Sequence, residues 1–275
     1  MDKVESIEQL KELISYVRNL RQGFVTNFYL DEEKHAAWIR TGEIQYDKWE
    51  DTVFLLFDHY SPDNAKYFTN MFYISTSEDA MLARLKEYPE KYIYDLYVLD
   101  IVGRDNMCLP LVEKLKAMRG YNDATLVRMT RLNSEELIVK SEESIAYAKR
   151  EYVGMIDELL HTHFDEQMEQ LPLVEELEKM VERKHVLLSM REGKVAGMLL
   201  FDLNASTLYL RYWLVLPEYR NKGVGSELLR QFLWEGRETK RQILWVNEAN
   251  ENAIVRYEHY GFKKENMYDY IIRYC

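Results

Sequence analysis

The residues best suited to chemistry stand where an aromatic-rich run meets a loop with two glycines. Residues 208–216 are typical of a buried strand, and Pro217 ends the run because proline cannot donate a hydrogen bond to a neighbouring strand. Leucine and phenylalanine then recur at helical spacing. Between strand and helix stands Arg220-x-x-Gly223-x-Gly225. Glycines permit a tight turn and a close ligand approach, and a helix start leaves backbone N–H groups unpaired, so this corner is predicted to bind phosphate.

The residues of this loop do not fit the two commonest nucleotide motifs. A P-loop places Gly-Lys-Ser/Thr after its spacer, but here Val224 follows Gly223 and Ser226 follows Gly225. A dinucleotide fingerprint places a third small residue at the position that Leu228 occupies. The loop therefore favours a different phosphate ligand.

A second motif begins at Asn250, after the strand-like residues 242–246, and ends with Gly261-Phe262. Asn250 and Tyr257 are nearly two helical turns apart and so share one face of the predicted helix. The simplest interpretation of Tyr257 is an ordinary packed tyrosine, because the chain contains 21 of them.

Together the two motifs resemble the GNAT acyltransferase superfamily, which transfers an acyl group from coenzyme A, usually to an amine. The resemblance covers roughly residues 134–275. It implies that acetyl-CoA binds with its pyrophosphate in the loop, that no metal takes part, and that the acceptor is a small-molecule amine or a peptide. The implied cofactor-binding residues are Leu214, Val215, Leu216, Arg220, Asn221, Lys222, Gly223, Val224, Gly225, Ser226 and Asn250.

The resemblance also implies roles for individual groups. Tyr257 would be the general acid that protonates the departing thiolate, since a thiol of reference pKa about 8.5 leaves more readily when a proton is supplied. Asn250 would hold the pantetheine arm by hydrogen bonds. Backbone donors of residues 214–216 would stabilise the oxyanion. Arg220 and Lys222 would add positive charge at the pyrophosphate; the alternative is that they are a solvated basic pair.

The general base is not evident from the sequence. Many relatives carry a carboxylate on the central strand, where this chain has Arg211 and Tyr212. A water relay, a base from elsewhere in the chain, or an acceptor that arrives as a neutral amine would each suffice. The region that usually borders the acceptor pocket contains four further candidates: His161, His163, Asp165 and Glu166. Histidines two residues apart on a helix point in different directions, so they are poor metal ligands, and solvated side chains are the simpler interpretation.

Composition indicates a folded protein of about two domains. The 275 residues are 47% hydrophobic with only 5 prolines, and the net charge of −11 argues against a nucleic-acid partner. Cys108 and Cys275 cannot form a disulfide framework. Because we find no apolar run near the ~20 residues of a membrane helix, and the first residues are charged, we expect a cytoplasmic protein without a membrane partner.

The N-terminal half alternates predicted strands and helices, which indicates an α/β domain. It resembles a degenerate GNAT half in which only Gly103-Arg104 remains at the place of the phosphate loop, so we expect no acyl-CoA there. This half would shape the acceptor side of the cleft or be a structural remnant. The predicted helices are 5–21, 31–40, 77–88 and 107–118; the predicted strands are 24–30, 52–57, 72–74, 92–99 and 126–131, with a loop at 58–64.

The C-terminal half contains the motifs and a two-residue hairpin at Glu192-Gly193. The fold class is therefore α/β (α+β): tandem GNAT-like domains over residues 1–132 and 133–275, with a mixed central sheet flanked by helices. Besides the central strand and the two motif helices, the predicted helices are 141–150, 152–169 and 173–182, and the predicted strands are 136–140, 186–190, 195–202, 242–246 and 267–274.

Three functions agree with this pattern. The first is an N-acetyltransferase that transfers an acyl group by direct attack of an amine on the thioester. The second is a non-catalytic acyl-CoA-binding regulatory module that keeps the cofactor loop but has lost its base. The third is an acyltransferase that modifies a protein N-terminus or lysine.

Overall fold

The computed structural model describes residues 1–60, 66–88, 96–133 and 145–274. The chain divides into two compact units, Met1–Leu126 with Met267–Cys275, and Val127–Asn266. The second unit contains both motifs. The predicted boundary at residue 132 differs from this division, which assigns the closing segment to the first unit, and the two-domain assignment by sequence stays a prediction.

Helices and strands alternate along much of the chain. The helices of the described residues are α1 (Ile7–Asn19), α2 (Glu32–Thr41), α3 (Glu78–Leu85), α4 (Asp105–Ala117), α5 (Val153–His163), α6 (Val174–Glu182), α7 (Val224–Glu235) and α8 (Glu251–His259). The strands are β1 (Asp2–Lys3), β2 (Val25–Thr26), β3 (Ile44–Lys48), β4 (Thr52–Tyr60), β5 (Lys66–Ser75), β6 (Tyr97–Gly103), β7 (Gly120–Leu132), β8 (Ile145–Tyr147), β9 (Val186–Arg191), β10 (Lys194–Asn204), β11 (Thr207–Val215), β12 (Arg241–Asn247) and β13 (Lys263–Tyr274). This confirms the predicted α/β class with a mixed sheet and flanking helices.

In the first unit the strand order is β1-β3-β4-β5-β6-β13, with β2 added beside β5. The strands β5 and β6 are parallel, whereas β4 and β5 are antiparallel. Side-chain caps begin three of its helices: Ser6, Asp31 and Ser77 each accept hydrogen bonds from backbone N–H groups of the first turn. The helices α3 and α4 cover one face of this sheet, where the core includes Phe54, Leu99 and Val112.

The predicted strand at 24–30 is wrong for all but Val25–Thr26. The side chain of Asn27 replaces the strand hydrogen bonds: its Oδ1 accepts from the Tyr73 N–H at 2.6 Å, and its Nδ2 donates to the backbone oxygens of Met71 and Asp100. A side-chain amide can satisfy both backbone donors and acceptors, so the strand ends where the amide takes over.

The predicted loop at 58–64 is also partly wrong, because β4 continues to Tyr60. Asp58 is buried, and its carboxylate accepts hydrogen bonds from Thr69 at 2.6 Å and Gln45 at 2.9 Å. These two donors satisfy the charge within the sheet. The rest of that loop, residues 61–65, and residues 92–95 of the predicted strand at 92–99 lie outside the described residues.

The corner between β6 and α4 corresponds to the phosphate corner of the other half. Its single glycine, Gly103, is followed by Arg104, and the helix begins at Asp105 without a side-chain cap. The hydroxyl of Tyr270 donates to the carboxylate of Asp105, and burial and then this carboxylate raise the pKa of the phenol. An acidic residue already occupies the first turn of this helix, which is unfavourable for a second anion.

In the second unit the strand order is β7-β12-β11-β10-β9-β8. The central strands β11 and β12 are parallel, and β8 to β11 are successive antiparallel neighbours. The predicted hairpin between β9 and β10 is confirmed. Glu192 and Gly193 both have positive φ angles, of 50° and 77°, as a two-residue turn of the favoured kind requires.

Two predicted helices of this unit are wrong in extent. Residues 145–147 of the helix predicted at 141–150 form β8, in which Ile145 lies opposite Ser189 of β9. Residues 136–144 lie outside the described residues. The helix predicted at 152–169 ends at His163, because Phe164 adopts extended backbone angles. No helix among the described residues meets the length and hydropathy needed to cross a membrane.

Candidate active site

The central strand β11 contains a bulge. Leu200 pairs with Tyr212 and Phe201 pairs with Leu210, so Arg211 has no partner across the β10–β11 ladder. A bulge shifts the alternation of side chains by one residue. Before it, Leu208 packs at the end of α7; after it, Tyr212 and Leu214 join the core beneath α5 and α6.

The same shift directs Trp213 toward the start of α7. A Cβ atom built on Gly225 would lie only 3.0 Å from the Trp213 ring and 3.4 Å from the Val215 side chain. The glycine therefore lets the first turn of α7 approach the strand more closely than any other residue would. The bulge and this glycine together fix how the loop sits over the end of β11.

The strands β11 and β12 part from one another after the bulge. Their pairing runs from Thr207 opposite Arg241 to Leu210 opposite Leu244, although β11 continues to Val215 and β12 to Asn247. A gap therefore opens between the C-terminal ends of these two parallel strands, where ligands commonly bind in open α/β sheets.

Backbone groups of β11 face this gap. The Leu216 N–H donates to the Ala196 oxygen of the β10 side at 3.0 Å. Because strand amides alternate in direction, the backbone of Leu214 also faces β10, while Trp213 and Val215 direct theirs toward β12. The oxygen of Val215 accepts a hydrogen bond from Nε of Arg220 in the loop that follows, at 3.3 Å.

The loop presents a series of backbone donors. Asn221 and Gly223 have positive φ angles of 61° and 84°, and α7 begins at Val224 with no side-chain cap. In the part of the chain that the structure describes, no hydrogen bond uses the N–H groups of residues 221–226. Unpaired donors at a helix N-terminus, in a turn of this shape, form a site for an anion.

Charged side chains surround the loop. Arg220 and Lys222 are exposed. Glu227 in the first turn is paired with Arg191 at the end of β9, with 2.5 Å between nitrogen and oxygen. This ion pair offsets the acidic side chain in the first turn of α7, which would otherwise weaken anion binding.

Tyr257 lies on α8 with 7% of its surface exposed. Its ring centroid is 5.6 Å from that of Trp213 and 5.9 Å from that of Phe262. Burial raises the pKa of its hydroxyl, and the carboxylate of Glu169 raises it further. The phenol is therefore held in its protonated form, as a proton donor must be.

Asn250 has a structural function that sequence reasoning did not assign. Its Oδ1 accepts a hydrogen bond from the Ala253 N–H at 3.1 Å, which caps the N-terminus of α8. The seven-residue spacing thus separates the N-cap residue of this helix from Tyr257, about two turns later.

Glu169 is the residue that sequence reasoning missed. The pKa of its carboxyl is raised to about 7, chiefly by burial and also by Asp165, while Arg211 opposes the shift. Its charge raises the pKa values of Tyr212 and Tyr257. No specific signal in the sequence marked it, because Glu169 is the last residue of the helix predicted at 152–169.

The other acid–base candidates lie at the surface. His161 and His163 are exposed, and Nδ1 of His161 donates to the Asp157 oxygen at 2.9 Å. The remaining nitrogen of His161 is 3.6 Å from Glu166. These contacts tie His161 to its own segment of the chain.

Residues 149–262 match the model of the acetyltransferase (GNAT) family, and no curated protein matches the chain. A GCN5-related glucosamine N-acetyltransferase region of a fungal multi-domain GH3 beta-N-acetylglucosaminidase aligns with 99% of this chain and 37% of its own, at 12% identity and a TM-score of 0.64. A tandem GNAT protein from the clavulanic acid biosynthesis pathway, solved without AcCoA, aligns with 99% and 96%, at 11% identity and a TM-score of 0.61. A GCN5-related N-acetyltransferase from Sphaerobacter thermophilus aligns with 96% and 90%, at 15% identity and a TM-score of 0.56.

At these identities the solved structures establish a common fold and nothing finer. The family match falls on the part of the chain that contains the bulged strand, the gap between β11 and β12, the donor-rich loop and α8. A GNAT-like N-terminal half is consistent with the fold of the tandem GNAT protein, which aligns with 99% of this chain. Residues 149–262 are therefore the part of the chain that is identified, by its match to the family model, as a GNAT acetyltransferase domain.

Proposed function

We propose that this protein is an N-acyltransferase that moves an acetyl group from acetyl-CoA to an amine by direct attack on the thioester. The observation that carries this proposal is the set of unpaired N–H groups at residues 221–226, placed at the start of α7 beside the open end of β11. Such a site fits a diphosphate. The acidic chain favours a cationic acceptor over a nucleic acid.

The loop would bind the pyrophosphate of the cofactor. Its backbone donors supply the hydrogen bonds, and Arg220 and Lys222 add positive charge at the rim. The bound cofactor supplies the acyl group as an activated thioester. The gap between β11 and β12 would receive the pantetheine arm, with Asn250 at one side as the family resemblance implies.

The reacting end would lie near the bulge. Backbone N–H groups of Trp213 and Val215 face the gap and can stabilise the oxyanion that develops on the thioester carbonyl. The alternation of the strand favours these two residues over Leu214, whose backbone faces β10. Tyr257, buried and protonated, would give its proton to the departing thiolate.

The N-terminal half, residues 1–132, is proposed to be a degenerate counterpart of the catalytic half. Its single-glycine corner already holds the carboxylate of Asp105, so we propose that only the loop at residues 220–226 binds acyl-CoA. The shared fold with a tandem GNAT protein supports this assignment.

The test is release of free thiol from acetyl-CoA in the presence of a panel of small amines and of peptides with free N-termini or lysines. Thiol release that depends on an amine supports the transferase. Binding of acetyl-CoA in calorimetry without thiol release from any acceptor would instead support a regulatory acyl-CoA-binding module. Activity confined to peptides would assign the protein to the protein-modifying class.

A further inference from the structure

On the basis of the proposed function, we infer that Glu169 is the general base that takes the proton from the acceptor amine. Glu169 is not one of the residues that the sequence motifs mark. It lies in the segment of residues 164–170, which follows α5 and precedes α6.

Three contacts hold this segment. The Glu169 N–H donates to the Asp165 oxygen at 2.7 Å, which closes a turn. The next residue, Gln170, accepts a hydrogen bond from the Tyr212 hydroxyl at 2.6 Å. The preceding residue, Met168, is contacted by the amide of Asn247 at 3.5 Å through its sulfur. Glu169 therefore lies between Met168 and Gln170, which contact β12 and β11, the two strands that border the gap.

The carboxylate of Glu169 is free to act on a ligand. Among the described residues, it makes no hydrogen bond and no ion pair. Arg211 lowers the pKa of Glu169 by its charge, but its guanidinium is bonded to Asp202 at 2.9 Å. The Tyr212 hydroxyl is committed to Gln170. A half-buried carboxyl with no partner of its own is a ready acceptor for a proton.

The charged and titratable neighbours of Glu169 come from several elements. Asp165 shares its segment, Arg211 and Tyr212 lie on β11, and Tyr257 lies on α8. Burial and Asp165 raise the pKa of Glu169 to about 7, against the pull of Arg211. A base with this pKa is ionised in a substantial fraction of molecules near neutrality and is stronger than an ordinary glutamate.

The two proton transfers then have separate partners. Glu169 accepts one proton from the acceptor ammonium and later releases it to solvent. The neutral nitrogen attacks the carbonyl carbon, the C–N bond forms and the C–S bond breaks. The thiolate takes its proton from Tyr257, and the second proton lost from nitrogen restores Tyr257 through solvent. The products are an amide, a thiol and one released proton.

The test compares wild type with E169Q for an amine that titrates above pH 9, with kcat/KM measured between pH 5.5 and 8.5. For wild type we expect a rising limb near pH 7, because the unprotonated carboxylate is the active form. In E169Q we expect kcat/KM at pH 8 to fall roughly 100-fold, and the break near pH 7 to be replaced by a continuous rise as the fraction of neutral amine grows. Acetyl-CoA affinity should be unchanged, and Tm should not fall, because the amide removes the cost of ionising a carboxyl whose pKa is raised by burial.

A second variant remains informative if E169Q does not fold. In D165N the new amide oxygen can still accept from the Gln167 N–H, as the carboxylate does at 2.9 Å. Removal of the negative charge lowers the pKa of Glu169, so the rising limb should move to lower pH while the plateau rate is kept. The matched control is E166Q, a carboxylate of the same segment whose pKa is also raised by burial but which faces His161; its profile should be that of wild type.

The outcomes separate the two proposals. If wild type transfers no acyl group, both the transferase and the base assignment fail. If wild type is active and E169Q keeps both its kcat/KM at pH 8 and the break near pH 7, the assignment to Glu169 is overturned while the transferase stands. Loss of both in E166Q would overturn the assignment as well. A rising limb of kcat/KM at the same pH in D165N and in wild type also contradicts the assignment of Glu169 as the base.

Discussion

At the scale of single residues, Tyr257 is the most direct test of the chemistry. The Y257F variant keeps the ring and its contacts with Trp213 and Phe262 but loses the proton. We expect kcat to fall roughly 100-fold, because general acid catalysis is lost, with little change in acetyl-CoA affinity. Thiol release and calorimetry measure the two quantities. Y260F, at the residue that follows this helix, is the control; equal activity of Y257F and wild type would remove the phenol from the mechanism.

Gly223 is the residue on which the shape of the loop depends. Its φ of 84° lies in the left-handed region, where an alanine is less stable by about 1–2 kcal/mol. In G223A we expect acetyl-CoA to bind about tenfold more weakly, because the neighbouring N–H groups turn away from the anion, as calorimetry would show.

The matched control for G223A is G193A in the β9–β10 hairpin. Gly193 has a similar φ of 77°, and no atom lies near its would-be Cβ. Both variants should lose similar stability in thermal melting, but only G223A should lose affinity. An equal loss of affinity in both would mean that the effect is a general loss of stability rather than a change of the anion site.

At the scale of elements, the hydrogen bond from Tyr212 to Gln170 joins β11 to the segment of residues 164–170. In Y212F we expect unfolding to cost about 1 kcal/mol less and KM for the amine to rise, because Glu169 becomes more mobile. Hydrogen exchange should speed up in residues 164–170, while acetyl-CoA affinity is kept. Unchanged exchange in this segment would show that the bond does not anchor it.

A helix or turn could be predicted from the sequence where a short pattern of neighbouring residues is enough to determine it. The capped helices beginning after Ser6, Asp31 and Ser77 follow from polar residues at their starts. The Glu192-Gly193 hairpin follows from its turn residues. The bulge at Arg211 did not follow, because its cause is the pairing of β11 with β10, a contact between distant parts of the chain.

The same reason explains why Glu169 was missed. The apolar spacing of residues 152–163 predicted a helix, and nothing local marks its end at His163. The segment after it is fixed by Tyr212 and Asn247, which lie more than 40 residues later. The motif residues of the candidate site could be named from the sequence. Glu169, whose charge raises the pKa of Tyr257, could be found only from the tertiary structure.

At the scale of the whole molecule, Asp269 on β13 makes stability depend on pH. Its Oδ1 is buried without a hydrogen bond among the described residues, and burial and Asp100 raise its pKa well above the ordinary value. The unfolded chain ionises this group near pH 4, whereas the folded protein keeps it protonated to higher pH. The folded state therefore binds more protons in this interval, and stability is lost as pH rises.

The D269N variant removes this titration, so its free energy of unfolding relative to wild type should increase with pH. The gain is at most about 1.4 kcal/mol per pH unit and levels off above the folded-state pKa of Asp269. Urea unfolding at pH 5, 6.5 and 8 measures it, with D2N as an exposed control that should show no such trend. A difference between D269N and wild type that stays constant with pH would mean that Asp269 is already ionised in the folded protein, and that the fold tolerates two neighbouring carboxylates in this sheet.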